Sequence, residues 1–226
     1  MAFSFPPCMQ FYVLKNPSET KSSTVTEFSE HESVQGDAPR CCVCGKFIGP
    51  LPWLPPFRAE LEVLGNDFGD IAFGAGNELL VSNRFKRLYS EAGLSGFKGF
   101  EPVEIVRTKC RRRLAKPVPE YFHVTASRNS RAAIDVKASS LIMEKPLPCP
   151  ECRTGGVLKR ARRIVLEVSS WSGEDIFFAR GLPGTILVSE RFSDFCKENQ
   201  ISNAILIPAF DYAFEFYPWE QQQLLS

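Results

Sequence analysis

Residues 80–85 have the sequence Leu-Val-Ser-Asn-Arg-Phe, and residues 187–192 have the sequence Leu-Val-Ser-Glu-Arg-Phe. Three further features match in the same order around these two hexamers, and their spacing drifts by only a few residues, as loop insertions would cause. One matching hexamer can arise by chance, whereas an ordered series indicates an internal duplication. The other matches are Glu-Leu-Glu-Val-Leu at 60–64 with Val-Leu-Glu-Val-Ser at 165–169, Asp-Ile-Ala-Phe at 70–73 with Asp-Ile-Phe-Phe at 175–178, and a Cys-x-x-Cys pair ahead of each copy.

The hexamers predict a buried strand that ends at a serine and a helix that begins there. Ser82 and Ser189 occupy N-cap positions, because a serine oxygen accepts a hydrogen bond from the free N–H groups of a first turn. Gly93 is expected to end the first helix in the left-handed conformation, and Asn199 to close the second. Apolar side chains recur at helical spacing at Phe85, Leu88, Tyr89 and Ala92 in the first copy and at Phe192, Phe195 and Cys196 in the second.

Each half is therefore predicted to be a strand–loop–strand–helix–strand unit, so the predicted fold class is α+β. With 226 residues, 44% of them apolar, the chain is long enough to form one compact domain, 1–226. Its predicted parts are a first half at 9–107 with a knuckle at 41–45, a connecting segment at 108–148, a second half at 149–212 with a knuckle at 149–152, and a C-terminal tail at 213–226. The predicted local elements are an opening strand at 9–15, a polar loop at 16–39, a proline-rich connector at 49–56, strands at 79–81 and 185–188 before the helices, strands at 97–106 and 204–210 after them, and a strand at 121–124.

Two Cys-x-x-Cys pairs, Cys41/Cys44 and Cys149/Cys152, carry the strongest chemical signal. Zinc takes four soft or borderline ligands in a tetrahedral arrangement, and each such turn directs two thiolates at one ion while backbone N–H groups support the sulfurs. A pseudo-twofold arrangement of the halves would bring the distant pairs together. We therefore predict one structural zinc ion held by all four cysteines. Such sites supply roughly 10–16 kcal/mol of apparent folding free energy in zinc-finger peptides.

The alternatives for these cysteines are a redox pair or unligated thiols. A thioredoxin-type pair opens a helix after a strand, whereas proline-rich loops follow here, which favours zinc. Cys42 lies between the first two ligands and competes with Cys41 or Cys44 for the metal. The remaining cysteines, expected to be ordinary buried or spare thiols, are Cys8, Cys110 and Cys196.

Hydropathy and the N-terminus bear on location. No apolar run approaches the length of about 18 residues that a transmembrane helix needs. The apolar stretch 1–7 is short and carries no basic n-region, so we expect no signal peptide and a cytoplasmic location. In a reducing compartment, the eight cysteines are better explained by metal binding or burial than by disulfides.

Two basic runs, 109–116 and 159–163, predict either phosphate contacts or a solvated face that an acidic partner could meet. The net charge of +1 and the lack of interleaved aromatic residues favour the solvated face. Nucleic acid is therefore not the expected partner.

Catalytic signals are scarce. The only two histidines, His31 and His123, are expected to have surface or core roles. Asp70 and Asp175 recur at equivalent positions, which favours a turn or capping role over paired acid–base catalysis. The sequence contains no Gly-x-Gly-x-x-Gly, no Walker A loop and no Gly-x-Ser-x-Gly elbow. No enzymatic activity is predicted.

The ordered motifs resemble the double Cys-x-x-Cys-Gly motif proteins, a family with many paralogues in myxobacteria. One departure is Arg153, which stands where that family has glycine and leaves the local turn in question, since glycines follow only at Gly155 and Gly156. The shared segments are 9–12, 41–45, 68–70, 79–81, 93–99, 148–152 and 186–192.

The resemblance implies an immunity protein that binds a cognate polymorphic bacterial toxin stoichiometrically and blocks its active site or its access to target. Candidate binding surfaces are the polar loop 16–39, the basic segment 107–116 and the acidic aromatic tail 214–220, where charge complementarity would speed association. The alternative is a zinc-ribbon nucleic-acid-binding protein that uses the two basic runs. No membrane partner is expected, and formation of a homo-oligomer stays open.

Overall fold

The fold is mixed and dominated by strands, with two nine-residue α-helices among the described residues. The computed structural model describes residues 9–17, 25–111, 114, 116–128, 131–143, 149–154 and 158–215. Sequence features that lie outside them, wholly or in part, are Cys8, residues 18–24 of the polar loop, residues 112, 113 and 115 of the first basic run, Pro148, Gly155, Gly156 and the tail from residue 216.

The helices are α1 (Asn83–Glu91) and α2 (Glu190–Glu198). The strands are β1 (Phe11–Lys15), β2 (Val25–Glu30), β3 (Val34–Gln35), β4 (Trp53–Leu54), β5 (Arg58–Leu64), β6 (Ile71–Phe73), β7 (Leu79–Ser82), β8 (Phe97–Cys110), β9 (Tyr121–Ala126), β10 (Ile142–Met143), β11 (Leu158–Ala161), β12 (Ile176–Ala179), β13 (Leu182–Ser189), β14 (Ile205–Pro208) and β15 (Phe214–Glu215). Single 3-10 turns occupy Ala75–Asn77, Val168–Ser170 and Ala209–Asp211.

Most strands belong to two assemblies. One is a closed barrel with the strand order β2-β5-β8-β9-β7-β6, and the other is an open sheet with the order β12-β13-β1-β14. Two small sheets, β10-β11-β15 and β3-β4, complete the described strands. The predicted α+β class thus holds only coarsely, because the barrel adds strands that the local sequence patterns do not indicate.

One prediction about local structure is wrong, and one pair of matching segments folds differently. The polar loop 16–39 contains β2 and β3, and all six residues of β2 pair with β5, so a partner distant in sequence satisfies its backbone despite its polar composition. Residues 165–169 do not form a strand like 60–64. They make an isolated bridge through Leu166 and enter a 3-10 turn. The division of the chain into four parts stays a prediction.

The barrel contains a strand array, β6-β7-β9-β8, that has the same order as the open sheet β12-β13-β1-β14. The registers of the two arrays also agree. Matching cross-strand pairs are Ile71–Val81 with Ile176–Val188, Ser82–Tyr121 with Ser189–Phe11, and Phe122–Pro102 with Tyr12–Pro208.

The strands β1 and β9 occupy equivalent places in the two arrays. β1 precedes the first knuckle but pairs with β13 and β14, whereas β9 precedes the second knuckle but pairs with β7 and β8. The predicted strand at 121–124 is therefore present and pairs as β1 does in the open sheet. The open sheet thus includes a strand from the N-terminal end of the described chain.

Both helices begin and end as predicted. Ser82 and Ser189 each accept a hydrogen bond from the backbone N–H three residues later, at 3.1 and 3.2 Å. Gly93 follows α1 with a φ of 61°, in the left-handed region. Asn199 is the C-cap of α2, and its amide donates to the carbonyl four residues earlier at 2.9 Å.

The largest buried cluster lies where α1 and α2 meet, and it draws side chains from both arrays. The ring of Phe85 on α1 packs edge-on against Phe195 on α2, with 5.8 Å between centroids. Each buried aromatic or aliphatic side chain of this kind contributes about 1.5–3 kcal/mol. The outer face of each array is covered differently: barrel strands enclose Trp53 and Tyr121, while loop residues such as Leu166 cover the open sheet.

Asp70 and Asp175 have the capping role expected from the sequence, and they also join the two arrays. Each carboxylate accepts a hydrogen bond from the cap serine of the helix that follows it, at 3.0 and 2.8 Å. Asp70 also accepts from the N–H and hydroxyl of Ser202, just after α2, both at 3.0 Å. Asp175 accepts from the N–H and hydroxyl of Ser95, just after α1, at 2.9 and 3.2 Å.

Two arginines complete this reciprocal junction. Arg84 donates to Asp70 at 2.7 Å and to the carbonyl of Asn199, the C-cap of α2, at 2.6 Å. Arg191 donates to Asp175 at 3.2 Å and to the carbonyl of Gly93, just past α1, also at 3.2 Å. Each cation thus lies at the C-terminal end of the other helix, where the helix dipole favours positive charge.

Candidate metal centre

Four cysteine sulfurs from the two knuckles form one cluster, in which all Sγ atoms lie within 4.8 Å of one another. Cys41 Sγ lies 3.8 Å from Cys149 Sγ, and Cys44 Sγ lies 3.6 Å from Cys152 Sγ, although each pair is 108 residues apart. Cys44 is the most exposed of the four, and the other three are buried. The four predicted ligands are therefore brought together and are able to hold a metal ion.

The sulfur–sulfur distances distinguish a metal site from disulfides. A disulfide requires about 2.05 Å between sulfurs, and the described cysteines are all free thiols. Four thiolates at about 2.3 Å from a tetrahedral ion lie about 3.8 Å from each other. The two distances between the knuckles, 3.6 and 3.8 Å, agree with this tetrahedral edge. A set of four sulfur donors suits a soft or borderline cation.

The two knuckles share one turn geometry. Gly45 N–H donates to the carbonyl of Cys41 at 2.9 Å, and Arg153 N–H donates to the carbonyl of Cys149 at 3.0 Å. Both donors are in the left-handed region, with φ of 70° at Gly45 and 54° at Arg153. The departure from glycine therefore leaves the turn intact.

Arg153 is held in this unfavourable conformation by its side chain. Its guanidinium makes a bidentate pair with Glu167, at 2.7 and 3.0 Å, and donates to the carbonyl of Ile134 at 3.0 Å. These bonds raise the pKa of Arg153 and lower the pKa of Glu167. This Arg153–Glu167 clamp offsets the free-energy cost of a left-handed backbone at a residue with a Cβ, a cost that glycine does not have.

Backbone and side-chain donors support the sulfurs. The N–H groups of Cys44 and Val43 donate to the Cys41 sulfur and lower the pKa of Cys41 to about 6. The N–H of Lys46 also lowers the pKa of Cys44, but burial and the neighbouring thiols raise it to about 12. Thr154 Oγ1 lies 3.0 Å from Cys152 Sγ, within hydrogen-bond distance. Four thiols this close cannot all ionise without a compensating cation, because like charges oppose each other.

The other described cysteines stay away from this cluster. Cys42 and Cys110 are exposed, and Cys42 is not among the four clustered sulfurs, so the first knuckle presents Cys41 and Cys44. Cys196 lies in the buried core on α2, where burial raises the pKa of its thiol to about 12.

The two histidines also lie apart from the cysteines. His31 Nδ1 is 3.6 Å from Glu60 Oε1 at the surface. His123 is buried, its Nε2 lies 2.5 Å from Glu78 Oε2, and its ring packs against Trp53 with 5.3 Å between centroids. This arrangement fits the expected surface and core roles.

Several cations of the basic runs have partners within the chain. Lys109 Nζ lies 3.1 Å from Glu60 Oε2, and Lys116 forms an ion pair with Asp67. Arg163 covers the ring of Phe210, with 4.7 Å between guanidinium carbon and centroid. These pairs agree with the solvated face that the sequence favours.

No family model matches this chain, and no curated protein matches it. Within the described part of the chain, no helix has the length and apolar character needed to cross a bilayer. Fold and site together define a strand-rich protein with a four-cysteine cluster able to hold a metal ion.

Sequence reasoning missed the residues that support the knuckles. Thr154 carried a signal, because a hydroxyl two residues after a predicted ligand is placed to reach its sulfur. The clamp between Arg153 and Glu167 carried none, since the two residues are 14 positions apart and no local pattern links them.

Proposed function

We propose that this protein is an immunity protein that neutralises a cognate bacterial toxin by stoichiometric binding, and that one structural zinc ion ties its two halves together. One observation supports the zinc part. Sulfurs that are 108 residues apart in sequence lie 3.6 and 3.8 Å from each other, which is close to the spacing of ligands around a tetrahedral ion. Zinc suits four thiolates without redox chemistry, and four protein ligands leave no open position for a substrate. The metal therefore has a folding role in this proposal.

The toxin-binding part is supported by the ordered motifs that the chain has in common with double Cys-x-x-Cys-Gly proteins. The site agrees with a binding role, because the thiolates have no open coordination position and the carboxylates Asp70 and Asp175 are both occupied by caps and arginines. A toxin neutralised inside the cell that carries this protein implies a cytoplasmic location. No membrane is involved in this proposal.

Nucleic-acid binding is the second candidate, and the contacts of the basic runs weigh against it. Lys109, Lys116 and Arg163 already face carboxylates or an aromatic ring of the same chain. Phosphate contacts would require those pairs to break, which reduces the electrostatic gain.

We further propose that the two arrays arose by duplication with exchange of the first strand. Three observations support it: the equal strand order, the equal register and the reciprocal contacts of Asp70 and Asp175. In this account, the repeat begins with β1 or β9, continues through a knuckle and ends with β8 or β14.

The neutralisation proposal is tested with the gene next to this one. The product of a toxin-like neighbouring reading frame is expected to inhibit growth when expressed alone and to be tolerated when this chain is co-expressed. The two proteins should also co-purify in a fixed ratio. An unrelated toxin serves as the control. Absence of both protection and a complex contradicts the proposal.

A further inference from the structure

A cleft of about 540 Å³ opens beside the cysteine cluster. Cys41 and Cys152 form part of its wall, but its character comes from charge: four arginines line it and only one glutamate does. The arginines are Arg40, Arg128, Arg131 and Arg180. This excess of positive charge contrasts with the chain as a whole, whose net charge is +1.

Arg128 is a partly buried arginine in the lining of this cleft. Its guanidinium carbon lies 3.7 Å from the centroid of Phe178, and Nη1 donates to the carbonyls of Ile48 and Pro183 at 3.4 and 3.1 Å. Burial lowers the pKa of Arg128, with Glu78 acting in the opposite direction. The charge is thus partly desolvated and bound to neutral carbonyls, so an anion in the cleft would find it strongly attractive.

The remaining three arginines line the same cleft. Arg180 is paired with Glu151, at 3.4 Å, and donates to the carbonyl of Arg131 at 3.2 Å. Arg40 is exposed, lies over the ring of Phe47 and donates to a carbonyl. Arg131 is exposed as well, and within the described ranges no carboxylate pairs with Arg40, Arg128 or Arg131.

We propose that this cleft binds carboxylate side chains of an acidic segment of a partner protein. Guanidinium groups match the planar, two-oxygen geometry of carboxylates, and the apolar wall of Ile48 and Pro183 suits the stem of a Glu or Asp side chain. Nucleic acid fits less well, because the one aromatic ring in the lining, Phe178, is covered by Arg128 and offers no stacking surface.

The metal centre helps to shape the same cleft. Arg40 directly precedes Cys41, and Glu151 directly precedes Cys152, so the chain segments that carry these charges are fixed by the knuckles. Removal of the metal is therefore expected to weaken binding in the cleft without changing any residue in it.

The inference needs no toxin for its test and does not depend on the neutralisation proposal. A fluorescently labelled poly-glutamate peptide is titrated at low salt against the wild-type chain, Arg131→Glu and Arg87→Glu. Arg131 is exposed, and among the described residues its side chain makes no hydrogen bond or ion pair, so the variant should fold. Arg87 is an exposed arginine on α1, remote in sequence from the cleft, and it provides the same charge change.

The wild-type chain is expected to bind the peptide, with affinity about tenfold weaker in Arg131→Glu and within about twofold of wild type in Arg87→Glu. Arg131→Ala, which removes the charge without inverting it, should fall between. Failure of the wild-type chain to bind at low salt, or an equal loss in both charge-reversal variants, would overturn the inference. So would a duplex oligonucleotide that displaces the peptide and binds more tightly, which would assign the cleft to nucleic acid.

Discussion

The two cysteine knuckles have the same turn but reach it by different chemistry. In the first, Gly45 adopts a φ of 70° with no neighbour within 4 Å of where a Cβ would lie. In the second, Arg153 adopts a φ of 54° and is held by Glu167. A left-handed turn therefore requires either a residue without a Cβ or a side chain with enough bonding to offset the strain. The comparison shows why the loss of glycine does not abolish the ligand geometry.

The largest loss of stability is expected when one of the four cysteines of the cluster is replaced, because both knuckles share the proposed metal ion. Cys149→Ser and Cys41→Ser should each lose the metal and several kcal/mol of unfolding free energy, because structural zinc contributes roughly 10–16 kcal/mol in zinc-finger peptides. Thermal melts and elemental analysis measure both effects. Cys42→Ser changes an exposed neighbouring thiol and is the matched control. If one knuckle tolerated the loss of its ligand, the two would not be equivalent.

Substitutions of Asp70 and Asp175 test whether the two sides of the junction between the arrays contribute equally to stability. Asp70→Ala and Asp175→Ala should each reduce the free energy of unfolding by about 2 kcal/mol, because both leave buried donors without an acceptor. The loss is expected to be similar for the two, since their partners match. Chemical denaturation provides the values, with exposed Asp211→Ala as control. A large effect at one aspartate and none at the other would break the symmetry.

Two substitutions of Arg153 should distinguish the strain of its left-handed backbone from the stabilisation by its bonds to Glu167, with a smaller change in stability. Arg153→Ala removes the bonds to Glu167 and keeps a Cβ in the left-handed region. Arg153→Gly removes those bonds and the Cβ as well. We expect the glycine variant to be more stable than the alanine variant by about 1 kcal/mol. The reverse order, which is usual at ordinary positions, would show that the turn is not strained. Denaturant midpoints decide between the two.

The smallest effect is a pH dependence of the clamp. Arg153 lowers the pKa of Glu167, so the carboxylate stabilises the fold above its unfolded-state pKa and loses that contribution as the pH falls through the lowered value. The stability difference between the wild-type chain and Glu167→Gln should therefore be constant near neutrality and shrink below about pH 4. Glu101→Gln, at an exposed position on β8, should show no such change. A difference that persists in acid would exclude the ion pair as its cause.

Features set by neighbours in sequence were predictable. The spacing of Cys41 and Cys44 predicted two members of the cysteine cluster, and the serine caps of α1 and α2 followed from the hexamers. The structure confirms these caps and brings the four sulfurs together. Zinc as the metal and toxin binding as the function stay predictions.

Features set by distant pairing were not predictable in the same way. The place of β1 in the open sheet depends on pairs such as Phe11 with Ser189, which lie 178 positions apart. The match of Phe11-Tyr12 with Tyr121-Phe122 is a sequence trace of the equivalence of β1 and β9. The polar composition of β2 concealed a strand because its pairing with β5, rather than its own apolar pattern, stabilises it. Residues 165–169 resemble a strand in sequence but meet no sheet partner beyond one bridge.

The most direct test of the central claim is X-ray absorption on the purified chain, together with its zinc content. The account predicts about one zinc per chain, coordinated by four sulfurs at about 2.3 Å. A protein that is stably folded without stoichiometric metal, or a coordination shell that contains nitrogen or oxygen ligands, would contradict it.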